Sequence, residues 1–329
     1  MRRMCPSLCC LLLAFMLSPP LAAQDTSCLH RTLSLNIIDS RRRLIRLSDP
    51  SYFQGKLGRQ RVKILSVKPD DRPHRIVILL DTSGSMLGDP PGRKWQMARY
   101  VAAHIARANL PNTSLALLVF SDKVNEQIDF SEGNSAVERR LLEIEADADF
   151  AKKQLRGKTA LRDVVLSALR LLKDPGFVDS IYVITDGGDN ESRSRLREVR
   201  DDLVSRGVRF YLTLLISNRL LTPEEQSGPT DVGELVEATG GLVLGPLGGQ
   251  PFGRVSYKLT KDELHGIAMR LDELYFVMTR NDLIDIELPQ TVKKWSRWLL
   301  QISPQQKAMH KDWLVLYPGE LAPCSGIPH

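Results

Sequence analysis

Between Arg75 and Leu244 the chain repeats one alternation: a short run of apolar residues, then a stretch in which apolar positions recur every three or four residues. Few architectures accept that pattern. A strand that is apolar on both sides must be covered on both sides, and helices between such strands supply the cover. The alternation therefore predicts a mostly parallel sheet with helices on its two faces. Four runs have this character: "RIVILL" (Arg75 to Leu80), "SLALLVF" (Ser114 to Phe120), "SIYVIT" (Ser180 to Thr185) and "VRFYLTLLI" (Val208 to Ile216). A fifth, "GLVLGPL" (Gly241 to Leu247), is shorter and flanked by glycine.

Helical stripes lie between the runs. Leu161, Val164, Val165, Ala168, Leu171 and Leu172 form one, and Trp95, Ala98, Val101, Ala102 and Ile105 another. Leu196, Val199 and Leu203 form a weaker stripe, and Leu264, Ile267, Leu271, Leu274 and Met278 mark a last long helix. "NEQIDF" (Asn125 to Phe130) follows the second strand too closely for a helical crossover, so it reads as an antiparallel edge strand. Outside the block, "TLSLNIID", "QRVKILSV", "LIDIEL", "RWLLQI" and "DWLVLY" read as short strands with no helices between them. The fold class expected is α/β: a Rossmann-like doubly wound sheet with a small flanking β unit formed by both chain ends. The expected division is a signal peptide over 1–23, an N-terminal β segment over 24–70, the α/β domain over 71–280 and a C-terminal β segment over 281–329. "GPLGGQPFG" (Gly245 to Gly253) reads as a loop.

The start, "MRRMCPSLCCLLLAFMLSPPLAAQ", combines a basic end, a short apolar run and small residues at Ala22 and Ala23. That is the pattern of a secretory signal of bacterial type, and its apolar run is short for a membrane span. The expectation is an exported protein, periplasmic or extracellular, without a transmembrane segment. Net charge is +6 and falls to +4 when Arg2 and Arg3 leave with the signal, too mild to argue for nucleic acid. The basic run "SRRRLIR" (Ser40 to Arg46) reads as a solvated loop or edge strand. Of five cysteines, Cys5, Cys9 and Cys10 fall in the signal, leaving Cys28 and Cys324. These either bridge the two ends of the chain or stay as free thiols.

The strand "RIVILL" runs straight into "DTSGSM" (Asp81 to Met86), and "SIYVIT" into "DGGDN" (Asp186 to Asn190). In a doubly wound sheet, ligands settle where strand order reverses, at the carboxyl ends of the strands. If these two strands are neighbours, Asp81, Ser83, Ser85 and Asp186 face one volume. Two carboxylates and two hydroxyls form a hard, oxygen-only donor set suited to Mg2+, Mn2+ or Ca2+ rather than zinc or copper. Thr159 in "RGKTALRD" supplies a further hydroxyl just before a well-patterned helix. The competing reading is that Asp and Ser merely cap the helix near Arg93.

The three parts together resemble a von Willebrand factor type A domain with an intact metal-ion-dependent adhesion site. That family carries Asp-x-Ser-x-Ser after the first strand, a Thr before a central helix and Asp-Gly after the fourth strand. Asp81, Ser83, Ser85, Thr159 and Asp186 match these elements in order. The resemblance implies that Ser83, Ser85 and Thr159 touch the metal directly while Asp81 and Asp186 hold it partly through water. It also implies a protein partner that offers an Asp or Glu carboxylate to the metal. Gly84 is expected to let the loop bend round the ion, and Gly187 to relieve the turn after Asp186. Order and length of the flanking segments are similar to a group of exported bacterial proteins bearing this domain.

Asp163 is expected on the helix surface or behind the ligands, and Asp189 in a solvated turn. Arg93, Lys94, Lys158 and Arg193 would give the rim a positive field toward an acidic partner. Nucleotide binding is disfavoured, because "GKT" at Gly157 to Thr159 lacks the first glycine of a phosphate loop, which falls on Lys152. The histidines show no HExxH spacing and no nearby cysteine pair, so zinc hydrolysis lacks its ligands. The leading expectation is a non-enzymatic binding module. The alternatives are a structural subunit whose metal stiffens the loops and a metal-assisted hydrolase using carboxylates such as Asp89 or Asp189.

Overall fold

A computed structural model describes residues 28–41, 43–88, 92–176, 179–216, 223–247 and 259–324. The signal segment 1–23, Asp89 and most of the "GPLGGQPFG" stretch lie outside the described residues. The described residues open with three strands, β1 (His30–Ile38), β2 (Phe53–Leu57) and β3 (Gln60–Pro69). The α/β alternation follows. β4 (His74–Asp81) leads through a short 3-10 turn to α1 (Arg93–Arg107), β5 (Thr113–Phe120) and β6 (Val124–Ile128). Three helices come next, α2 (Asn134–Ala146), α3 (Phe150–Gln154) and α4 (Leu161–Leu171), and then β7 (Ser180–Thr185). α5 (Leu196–Ser205), β8 (Arg209–Leu215), α6 (Pro223–Thr239), β9 (Val243–Leu247) and α7 (Lys261–Met278) complete the domain. β10 (Asp282–Glu287), β11 (Ser296–Ile302), α8 (Pro304–Met309), β12 (Leu314–Leu316) and β13 (Glu320–Leu321) close the chain.

The central sheet has the order β6-β5-β4-β7-β8-β9. All its pairings are parallel except β5 with β6, the reversed edge strand expected from the short connection. Its strands are apolar on both sides for the reason anticipated. Ile76, Ile78 and Leu80 of β4 pack with α1, α2 and α7, while Val77 and Leu79 pack with α4, α5 and α6. Period-two alternation sends successive side chains to opposite faces, and here both faces are dry.

The second sheet joins both chain ends in the order β12-β1-β10-β3-β2-β11-β13. β1 pairs antiparallel with β10 from His30↔Glu287 to Leu35↔Asp282, and β11 pairs with β2. Leu35, Ile37, Ile284, Ile286, Trp298 and Leu300 fill its core. Cys28 and Cys324 are disulfide-bonded, so of the two readings of these residues the structure takes the bridge. Among the described residues of the basic run after Ser40, Leu44 forms an isolated bridge with Ile38, and the others form a loop.

Asp282 at the start of β10 is 2% exposed, and neither carboxylate oxygen has a hydrogen-bond partner among the described residues. Burial pushes its pKa up to about 6, with Arg46 pulling it down and Asp71 pushing it up. The ordinary value is 3.8, so the folded state favours the protonated acid. The resulting stabilisation is complete below that value and is lost as pH rises through about 6. Asp282→Asn should flatten this dependence. In urea titrations at pH 5 and pH 8 we expect the variant to gain on the wild type by about 1.4 kcal/mol at the higher pH.

Candidate functional site

β4 and β7 are neighbours, with Leu80 opposite Ile184. Strand order reverses between them, since β5 and β6 lie on one side of β4 and β7, β8 and β9 on the other. The loops after Asp81 and Thr185 therefore part at this point and leave a crevice between them.

Asp81 is fully buried. Its Oδ1 accepts the Ser83 amide at 2.8 Å, and its Oδ2 accepts the Thr185 hydroxyl at 2.6 Å. Burial, and after it the charge of Asp186, pushes the Asp81 pKa up to about 7 against the pull of the Thr185 and Ser83 hydrogen bonds. Two acids thus share one dry volume. The Ser83 and Ser85 hydroxyl oxygens stand 3.0 Å apart. Asp186 is 3% exposed, its Oδ1 accepting the Gly188 amide at 3.3 Å and its Oδ2 the Lys94 ammonium at 2.8 Å.

Backbone hydrogen bonds stitch three loops together. Gly84 N donates to Gly157 O at 3.1 Å and Arg156 N to Thr82 O at 3.2 Å. Asn190 N and Glu191 N each donate to Thr159 O at 3.0 Å, and Asn190 Oδ1 accepts the Thr159 amide at 2.9 Å. Thr159 is 4% exposed, and its hydroxyl is engaged by no hydrogen bond among the described residues. Gly187 has φ 85°, as the turn after Asp186 demands. A Cβ on Gly228 of α6 would meet Gly187 O at 2.2 Å, so a pair of glycines lets this helix press against the loop.

Several expectations change. The "DTSGSM" residues do not cap α1, whose N-cap is Gly92. Gly84 has no positive φ, and a Cβ there would stand 3.4 Å from Gly157 O, an ordinary contact, so neither a bend nor crowding demands glycine at this position. Asp189 is not solvated. Its side chain accepts the Arg162 amide at 2.9 Å and the Ser192 hydroxyl at 2.8 Å, which braces the start of α4. Asp163, by contrast, sits behind the crevice as expected, its side chain accepting the Arg193 and Ser194 amides at 3.0 Å each. The positive rim shrinks, because Arg93 and Lys94 are buried and ion-paired with Glu263 and Asp186. Lys158 and Arg193 remain exposed, Lys158 beside Glu191 at 2.8 Å. Thr185 carried no sequence signal as a partner of Asp81, because its hydroxyl belongs to a strand that is otherwise apolar.

These residues suit a hard divalent cation. They offer neutral hydroxyls and two carboxylates, one of which is held against its charged form by burial and by its neighbour. Among the described residues no group of three or more His, Cys, Asp or Glu gathers to hold a metal. Hydroxyl and carboxylate oxygens are hard donors, which suit such a cation better than zinc or copper.

Comparison with known proteins gives a family match over the same region: residues 76–188 match the von Willebrand factor type A domain. The central domain has this fold, and domains of the type typically mediate protein interactions. A search of the curated proteins finds no match. Among solved structures, BatB from Bacteroides thetaiotaomicron is 14% identical, with 61% of this chain and 98% of that one covered and a TM-score of 0.42. A von Willebrand factor type A protein from Catenulispora acidiphila is 13% identical, with 89% and 72% covered and a TM-score of 0.44. The PilB minor pilin from Streptococcus sanguinis is 14% identical, with 63% and 64% covered and a TM-score of 0.39. No helix among the described residues is long and apolar enough to cross a membrane.

Proposed function

We propose that this chain is an exported, non-enzymatic binding protein whose type A domain captures an acidic residue of a protein partner through a divalent cation. Asp81, Ser83, Ser85, Thr159 and Asp186 would hold the cation, Mg2+ or one of its relatives Mn2+ and Ca2+. When bound, it supplies a positive centre that can accept a carboxylate oxygen from outside. The chain's own residues set the conditions. Three neutral hydroxyls leave that centre under-neutralised, and the buried Asp81 and Asp186 hold the opposing charge below the surface. The observation that carries the reading is the crowding of Asp81 by Asp186 beside the paired hydroxyls of Ser83 and Ser85.

Residues 1–23 act in this reading as the export signal, 71–280 as the type A domain, and 24–70 with 281–329 as the flanking segments. The Cys28–Cys324 bridge supports export, since such bonds persist in oxidising compartments. A cation that merely stiffens the loops is the weaker alternative, because backbone hydrogen bonds already join them.

The test is a pull-down from the native envelope fraction in Mg2+ or in EDTA, with wild type, Asp81→Ala and Thr159→Ala. A partner recovered only in Mg2+ and only by wild type is the expected result, with the Thr159→Ala melting temperature unchanged in EDTA. Recovery that ignores EDTA would overturn the proposal. A Thr159→Ala protein that loses stability but keeps its partner would favour the stiffening role.

A further inference from the structure

Lys94 sits in the first turn of α1, beside Arg93, with no acidic residue in that turn and no side-chain cap. A helix N-terminus carries partial positive charge, so a lysine there is placed against local preference. Its side chain is also 2% exposed, as is that of Asp186, and the two are bonded at 2.8 Å. A buried ammonium in an unfavourable helical position needs a compensating reason. The crevice supplies one, because Asp81 and Asp186 together place two carboxylates in a dry volume.

We infer that Lys94 is a resident counter-ion of the crevice, one that weakens uptake of a divalent cation and makes that uptake depend on an acidic ligand. The inference rests on the cation-binding reading above. Its logic is charge counting. Ionised, Asp81, Asp186 and Lys94 sum to one negative charge, and a divalent cation turns the sum to one positive charge. A carboxylate from a partner restores neutrality. Cation and acid therefore favour each other, and each is bound less well alone. Without the lysine, the same cation neutralises the two carboxylates by itself, and a third carboxylate adds an unbalanced negative charge. Lys94 is a positioning residue here: it acts through Asp186 and touches neither partner nor substrate.

Binding of Mn2+, followed by electron paramagnetic resonance of the free ion, tests this with wild type and Lys94→Met, each with and without saturating acetate. The wild type should bind Mn2+ more tightly in acetate, by about fivefold or more. Lys94→Met should bind Mn2+ without acetate on the order of tenfold more tightly than wild type, with acetate giving little further gain. Its melting temperature should also rise more on adding Mn2+ than that of wild type. If Lys94→Met fails to fold, Lys94→Gln carries the same comparison, since its amide can donate to Asp186. Equal or weaker Mn2+ affinity in a folded variant, or an acetate effect undiminished by the substitution, overturns the role of Lys94 and leaves the cation site standing. Absence of Mn2+ binding in both wild type and variant overturns the site and the inference together.

Discussion

Arg209→Met should unfasten the two sheets from each other at a cost of about 3–5 kcal/mol, which lowers the melting temperature by roughly 10 °C. Arg209 opens β8, is 1% exposed, and is the largest of the fully buried side chains. Its Nη1 donates to Asn36 Oδ1 of β1 and, at 2.6 Å, to Asn281 Oδ1 between α7 and β10. Its Nη2 donates to Gly240 O, and the guanidinium lies over the Tyr211 ring at 5.4 Å. Burial lowers its pKa. Methionine fills much of the volume but leaves three buried acceptors without a donor, and each such loss costs about 1–3 kcal/mol. Arg209→Lys should recover little of it, since one ammonium cannot reproduce a planar fork reaching three elements. Thermal melts followed by circular dichroism would check both, and a loss under 1 kcal/mol for Arg209→Met would refute the clamp.

The double variant Cys28→Ser, Cys324→Ser is the second large effect. The bridge closes a sequence separation of 296 residues, and for a loop of that size chain entropy alone gives about 5–6 kcal/mol. Measured losses run lower, so about 3–5 kcal/mol is expected. The bridge lies beside Cys324 N to Val292 O at 3.0 Å and Leu288 N to Leu29 O at 2.8 Å, contacts of the flanking sheet. Reductant should bring the wild type down to the variant's stability and leave the variant unchanged. If urea midpoints in reductant and oxidant coincide for wild type, the bridge contributes nothing.

The central sheet was legible because its strands are buried on both faces and so stand out as unbroken apolar text. Even the reversed strand followed from the length of its connection. α6 was not legible. Gly228 and Pro229 fall in its first turns and Gly233 in its middle, composition that reads as loop, yet Gly228 is there because the Gly187 loop presses on it. α2 escaped notice for a different reason: only Val137, Leu141 and Ile144 of its residues are buried, too narrow a stripe to announce a helix. In the crevice, the neighbouring placement of the loops after Asp81 and Thr185 followed from the strand pattern along the chain. The burial of Lys94 and the engagement of Asp189 did not, because a charged residue reads as solvated until the element it packs against is known.

The place of β1 carries a consequence for biosynthesis. It lies between β12 and β10, and its backbone has no strand partner until residues 282–287 have been made, and its far end none until 314–316. The first strand to emerge thus waits for nearly the last. In that interval the apolar face of Leu33, Leu35 and Ile37 stays open to stray pairing with other chains. Newly made protein should therefore depend on holding factors until its end is released, and a deletion from Asp282 onward should strand the beginning of the molecule.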